Sequence, residues 1–181
     1  MTRPVAVALT GGIGAGKSEA LAAFARHGAA TLSADELVHR LIAEDGRVRA
    51  ALEERLGTTD RSGIAKRVFA DPESLAWLEG LLHPRVREGY DAWLARVEAP
   101  VAVVEIPLLY ETGAEDRFDK VVVVTAPLHV RRTRSALAGE EREQRLLPDE
   151  EKVAKADYAY ENSGSLEDLD RFVASVLSDV T

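Results

Sequence analysis

The sequence predicts an α/β protein built on a parallel sheet, and three observations predict it. Apolar runs at residues 5–9, 29–32, 101–106 and 120–125 are continuous rather than alternating, which is the pattern of strands covered on both faces. Stretches with helical spacing lie between them. The first run passes directly into the glycine-rich turn Gly11-Gly12-Ile13-Gly14-Ala15-Gly16-Lys17-Ser18, with a helix pattern behind it.

Taken in order, residues 5–9 form the first strand, and residues 18–26 form a helix that buries Leu21, Ala22, Phe24 and Ala25. A second strand at 29–32 ends at Ser33, and Leu37, Val38, Leu41 and Ile42 recur at helical spacing after it. Residues 47–56, 64–70, 72–82 and 84–97 read as successive helices, with Asp71-Pro72 a matched N-cap and first-turn pair, and this all-helical stretch interrupts the alternation. Strands return at 101–106 and 120–125, and Pro127 opens a helix expected to run through Leu137. Residues 138–155 are dense in charge and are expected to form an exposed helical flap. Residues 158–160 suit a short last strand, Asn162-Ser163-Gly164 a turn, and Leu166, Leu169, Phe172, Val173, Val176 and Leu177 the buried stripe of a closing helix.

Gly11-x-x-x-x-Gly16-Lys17-Ser18 is the phosphate-binding P-loop pattern, and each fixed position has a mechanism. Glycine lets the backbone approach an anion with its N–H groups turned inward, so Gly12, Ile13, Gly14, Ala15 and Gly16 form a cradle for a triphosphate. Lys17 reaches the β- and γ-phosphates, the Ser18 hydroxyl suits Mg²⁺, and the helix N-terminus that includes Glu19 directs its dipole at the same charge. ATP and Mg²⁺ are the expected cofactors.

Composition narrows the partners. The 181 residues suit one domain with inserts, and a net charge of −8 argues against a general nucleic-acid surface, which needs many Lys and Arg to neutralise phosphates. A small anionic substrate needs only local positive charge. There are no cysteines, so disulfides and thiolate chemistry are excluded and a reducing cytoplasm fits. The apolar N-terminus reads as a strand, not a signal segment, and no apolar stretch has the length of a membrane span. A monomer or small homo-oligomer is expected.

Beyond LTGGIGAGKS, the chain carries Ala34-Asp35 after the second strand, Leu82-His83-Pro84, EIPLLYE from Glu105 to Glu111, and ADYAYENSGSLEDL from Ala156 to Leu169. On these motifs it resembles the dephospho-coenzyme A kinase family nearly end to end. It implies a P-loop NTPase three-layer fold with a five-stranded parallel sheet in the order 2-3-1-4-5. It also implies one domain over 1–181 carrying a helical acceptor-binding insert at about 47–98 and a short lid at about 129–152. The implied reaction is transfer of the ATP γ-phosphoryl group to the ribose 3′-hydroxyl of dephospho-coenzyme A.

The family's motif puts its base at Asp35, just past a strand's carboxyl end, where ligands bind in open α/β sheets. A competing reading makes Ser33-Ala34-Asp35-Glu36 a capping box in which Asp35 only complements the helix dipole. The family often has a second Asp where this chain has Ser33. Glu105 closes its strand like a Walker B carboxylate and would join Ser18 at Mg²⁺; the alternative is a structural ion pair with a neighbouring arginine. Arg142 matches the family's phosphate-reaching lid arginine, with Arg131, Arg132 and Arg134 as alternatives and a solvated surface arginine as the plain one. Asn162 implies an adenine-side contact or only a turn. His83, Leu109, Tyr110 and Glu111 imply the acceptor side, with His83 equally suited to a helix junction ahead of Pro84. Two other functions compete: another P-loop kinase acting on a nucleotide or small metabolite, and a nucleotide-dependent switch, which the absence of an N-K-x-D signature disfavours.

Overall fold

The computed structural model describes residues 3–135 and 146–181. Five parallel strands, β1 (Val5–Gly11), β2 (Ala30–Ser33), β3 (Val101–Glu105), β4 (Lys120–Thr125) and β5 (Tyr158–Glu161), form one sheet in the order β2-β3-β1-β4-β5. This is the expected order. The four valine-rich residues Val101–Val104 and the four of Val121–Val124 are all buried, so both faces of the central strands are covered.

The chain separates into two compact units, one of residues 1–33 with 94–181 and one of residues 34–93. The first holds the sheet. On it pack α1 (Lys17–Arg26) and α8 (Leu166–Val180), whose Ala20, Ala23, Phe24, Leu169, Val173 and Val176 share one core with Val7, Leu9, Val103 and Val122. Of the expected stripe, Phe24 is buried and Leu21 packs partly buried against the core, while Ala22 and Ala25 are exposed and Ala20 and Ala23 are buried in their place. Helical spacing of 3 and 4 from Ala20 selects that face. Helix α8 begins at a capping box in which Ser165 and Asp168 bond reciprocally, and the Ser165 hydroxyl and N–H hold the Asp168 carboxyl down to about 2. Tyr160 stacks on Phe172 at 4.8 Å, docking α8 on the edge strand β5.

The floor of the sheet, at the amino ends of the strands, is tied by two carboxylates. Asp119, just before β4, accepts from the Ala6 N–H of neighbouring β1 at 2.8 Å, and Asp157, just before β5, accepts from the Val121 N–H of neighbouring β4 at 2.8 Å. Each acid closes a strand-end donor that a finished ladder leaves over.

The second unit is helical: α2 (Ala34–Glu44), α3 (Gly46–Leu56), α4 (Arg61–Ala70) and most of α5 (Pro72–Leu94), packed through Ile42, Val48, Leu52, Ile64, Val68 and Leu82. Asp45, Asp60 and Asp71 accept first-turn N–H groups at the starts of α3, α4 and α5, and all three carboxyls lie below their ordinary range, held there chiefly by the Val48 N–H at Asp45 and by the Ser62 and Ser74 hydroxyls at Asp60 and Asp71. The sequence breaks α5 in two at Pro84, and the structure does not. Leu82, Val86 and Tyr90 are buried along one face of a continuous helix, and packing on both sides of the proline outweighs its missing N–H. Gly80 stands four residues before Pro84, where the ring crowds the backbone, and the Arg85 guanidinium donates to the Leu81 carbonyl at 2.7 Å. Pro84 is accordingly not a first-turn residue, and His83 lies within a helix rather than at a junction.

Candidate active site

The site is built where β1 ends. Gly14 and Gly16 take positive φ, 74° and 100°, and Gly16 is the left-handed residue immediately before α1. A side chain at Gly16 would also collide with the Asn162 amide, so this position requires glycine twice over. Lys17 is the first residue of α1, and its Nζ donates to the Gly12 carbonyl at 2.9 Å. Ser18 is exposed on the first turn, and Glu19 beside it pairs with Arg26 at 3.1 Å.

Buried Asn162 lies at the loop. Its Nδ2 donates to the Ala15 carbonyl at 2.9 Å and its N–H to the Thr125 carbonyl at 2.7 Å, so it fastens the P-loop to the end of β4. Arg134, the last residue of α6 (Leu128–Arg134), donates to the Asn162 carbonyl at 3.3 Å. The helix expected through Leu137 thus ends at Arg134, where Ser135 turns to extended backbone. Arg142 lies outside the described residues.

The adjacent strand ends carry the polar residues. Register pairs Glu105 at the end of β3 with Leu9 of β1 and with Ser33 of β2. Glu105 and Ser33 are both buried, as is Thr10, whose hydroxyl donates to the Pro107 carbonyl at 3.3 Å. A buried carboxylate at a strand's carboxyl end and a hydroxyl on the first turn of α1 are hard oxygen donors, the set that Mg²⁺ takes alongside phosphate oxygens, so the residues present fit that ion. Asp35 is exposed in the first turn of α2, two residues beyond Ser33. Among the described residues no hydrogen bond links the Ser33 hydroxyl with Glu36, so the capping-box reading of this segment has no support in the bonding.

The segment after β3 does different work from that expected. Leu109 is fully buried and its carbonyl accepts from Ala114, so it packs the core and has no surface to offer an acceptor. The Tyr110 hydroxyl is buried with no hydrogen-bond partner among the described residues, and burial, reinforced by Glu115 and Asp157, pushes it above its ordinary value. It stays protonated and is no candidate base. The Glu111 carboxylate accepts from the Leu147 N–H at 2.8 Å and stands 3.0 Å from Lys152 of α7 (Asp149–Lys155). Lys152 is 0% exposed and anchors α7 from within, while Glu150, Glu151, Val153, Ala154 and Lys155 are exposed as expected of this helix, and the contact is an ion pair without the alignment of a hydrogen bond.

Burial of that ammonium makes a sharp expectation. Glu111→Ala leaves the charge uncompensated and destabilises the fold by about 3 kcal/mol or more, read as a lower urea midpoint at unchanged slope. Combining Glu111→Leu with Lys152→Met removes both charges and restores most of the loss; a midpoint in Glu111→Ala equal to that of the parent would show that the pair contributes nothing.

Sequence reasoning passed over Asp149 and the burial of Lys152. A seven-residue helix offers too few positions for its periodicity to mark an inward lysine, and Asp149 after Pro148 reads as an ordinary first-turn acid. His83, in the helical unit, is half-buried.

A family model described as dephospho-CoA kinase matches residues 5–168. A dephospho-CoA kinase of Brucella melitensis is 40% identical over 193 aligned residues, covering 98% of this chain and 96% of the relative. A crystal structure of a Thermus thermophilus protein superposes with a TM-score of 0.83 at 39% identity, over 99% of this chain and 100% of that one. A dephospho-CoA kinase of Campylobacter jejuni has a TM-score of 0.68 at 22% identity, over 99% of each chain, which speaks for the fold alone.

Proposed function

The chain belongs to the dephospho-CoA kinase family, and from that premise we propose how its residues transfer the ATP γ-phosphoryl group to the ribose 3′-hydroxyl of dephospho-CoA. The observation that carries the reading is the match over nearly the whole chain, at 40% identity, to a dephospho-CoA kinase. A P-loop cradle at the end of β1 supports it.

Phosphoryl transfer is chiefly positioning and charge stabilisation. Residues 12–16 hold the phosphates through backbone N–H groups, and Lys17 counters the charge that develops on the transferring group. Ser18 and Glu105 would hold Mg²⁺, which would supply positive charge to neutralise the triphosphate during transfer. Asp35 takes the proton of the 3′-hydroxyl as its oxygen bonds to the γ-phosphorus and the bond to the bridging oxygen breaks, releasing ADP. Arg142 belongs to the lid at about 129–152 and would add charge to the same group. The helical insert at about 47–98, with His83, takes the acceptor; Tyr110 and Glu111 serve it indirectly, by fixing the wall behind the site. We place the reaction in the cytoplasm, in a monomer or small homo-oligomer; no described helix is long and apolar enough to cross a membrane.

The test is an acceptor panel with ATP and Mg²⁺: dephospho-CoA, nucleoside monophosphates, uridine, shikimate and gluconate. ADP release matched by CoA formation is expected with dephospho-CoA alone. Release with a different acceptor, or at the same rate with none, would replace this reading by one of its rivals.

A further inference from the structure

We propose that Arg131 is a phosphate-contacting residue of the nucleotide cradle, placed to engage the terminal phosphate and so to favour a nucleoside triphosphate over the diphosphate. The proposal rests on the reading of this chain as an ATP-dependent kinase.

Helix α6 packs its Arg131 turn directly on the P-loop. A Cβ at Gly14 would lie 2.8 Å from the Arg131 carbonyl oxygen, and a Cβ at Gly12 would lie 2.6 Å from its guanidinium NH1. Backbone and side chain of one arginine are thus set against two glycines of the loop. The guanidinium is at Gly12, the same residue whose carbonyl accepts from Lys17 Nζ at 2.9 Å. Two cations, one from α1 and one from α6, therefore converge on a single loop residue in a chain whose net charge is −8. Like charges brought together at a partly buried site oppose one another, and a polyanion in the cradle turns that opposition into attraction.

Asp149 supplies a counter-charge. Its Oδ2 stands 3.7 Å from Arg131 NH2, and the two side chains are 26% and 13% exposed. The carboxylate is an ion-pair partner that orients the guanidinium beside the loop. Lys17 of a P-loop reaches the β- and γ-phosphates, whereas the loop's N–H groups hold those nearer the nucleoside. A second cation at the residue bonded by Lys17 is aimed at the outer end of the chain of phosphates. An arginine there adds planar, two-point recognition that a lysine lacks.

Binding of ATP and of ADP, each with Mg²⁺ and no acceptor, is measured by calorimetry for the parent, Arg131→Met and Arg131→Lys, alongside thermal melting. Arg131→Met is expected to weaken ATP by roughly 10- to 100-fold and ADP by about threefold or less, with Arg131→Lys between Met and parent. Equal losses for the two nucleotides, or no loss, would overturn the proposal. If Arg131→Met fails to fold, Arg131→Lys carries the test and must show the same bias toward losing ATP. Because acceptor is absent from the titration, a parent that binds ATP but ignores dephospho-CoA in the panel would defeat the acceptor assignment and leave the Arg131 result standing.

Discussion

Asp35→Asn is expected to lower kcat by about 10²- to 10⁴-fold, the range a positioned general base contributes, while ATP affinity and melting temperature stay close to those of the parent. The separation of effects follows from where Asp35 sits. It is exposed in the first turn of α2, so an isosteric amide removes no buried contact, and the remaining acidic first-turn residue Glu36 keeps the helix dipole countered. The substitution leaves every P-loop residue unchanged, so the nucleotide is expected to be held as before. Single-turnover kinetics with saturating ATP and dephospho-CoA isolate the chemical step from product release. A variant with near-normal kcat would remove Asp35 from the mechanism and return it to the role of a helix-end charge.

Lys17→Ala is expected to fail on both counts, with kcat reduced by about 10²- to 10³-fold and ATP bound more weakly. Two losses combine here. The variant removes a positive charge from the transferring phosphoryl group, and it removes the Nζ bond to the Gly12 carbonyl that closes the loop on itself. The second loss predicts a looser loop even without nucleotide, so ADP affinity should fall too, in contrast to the selective loss expected at Arg131. Unchanged ATP affinity and turnover in Lys17→Ala would contradict the assignment of this loop as the nucleotide site.

Much of the fold was legible because its signals are local and redundant. Four strands announce themselves as unbroken apolar runs, and Gly16-Lys17-Ser18 marks the strand-to-helix turn that the structure places between β1 and α1. The errors arise where tertiary packing decides. Pro84 reads as a stop, yet the apolar face from Leu82 to Tyr90 carries α5 through it. Leu109 sits in a motif that invites a substrate role, but a side chain with no exposed surface can only support one. Lys152 reads as solvated among glutamates, and only its distance to Glu111, 41 residues earlier in the chain, shows it to be an inward anchor. The spacing of the loop residues alone placed them between β1 and α1, where the structure has them. The crowding of Arg131 onto Gly12 and Gly14 was not legible, because a guanidinium's reach across to another element leaves no periodic trace.

The two carboxylates beneath the sheet give its rigidity a direction. Asp119 and Asp157 fasten the second amides of β1 and β4 at the floor, whereas β1 ends at the opposite rim in the glycines of the P-loop. Opening the floor would break ladder and carboxylate bonds together, so the amide protons of Ala6 and Val121 belong with those that exchange only when the whole unit unfolds, while loop amides exchange through smaller openings. A catalytic cycle can therefore rework the rim at every turnover without any strand slipping its register.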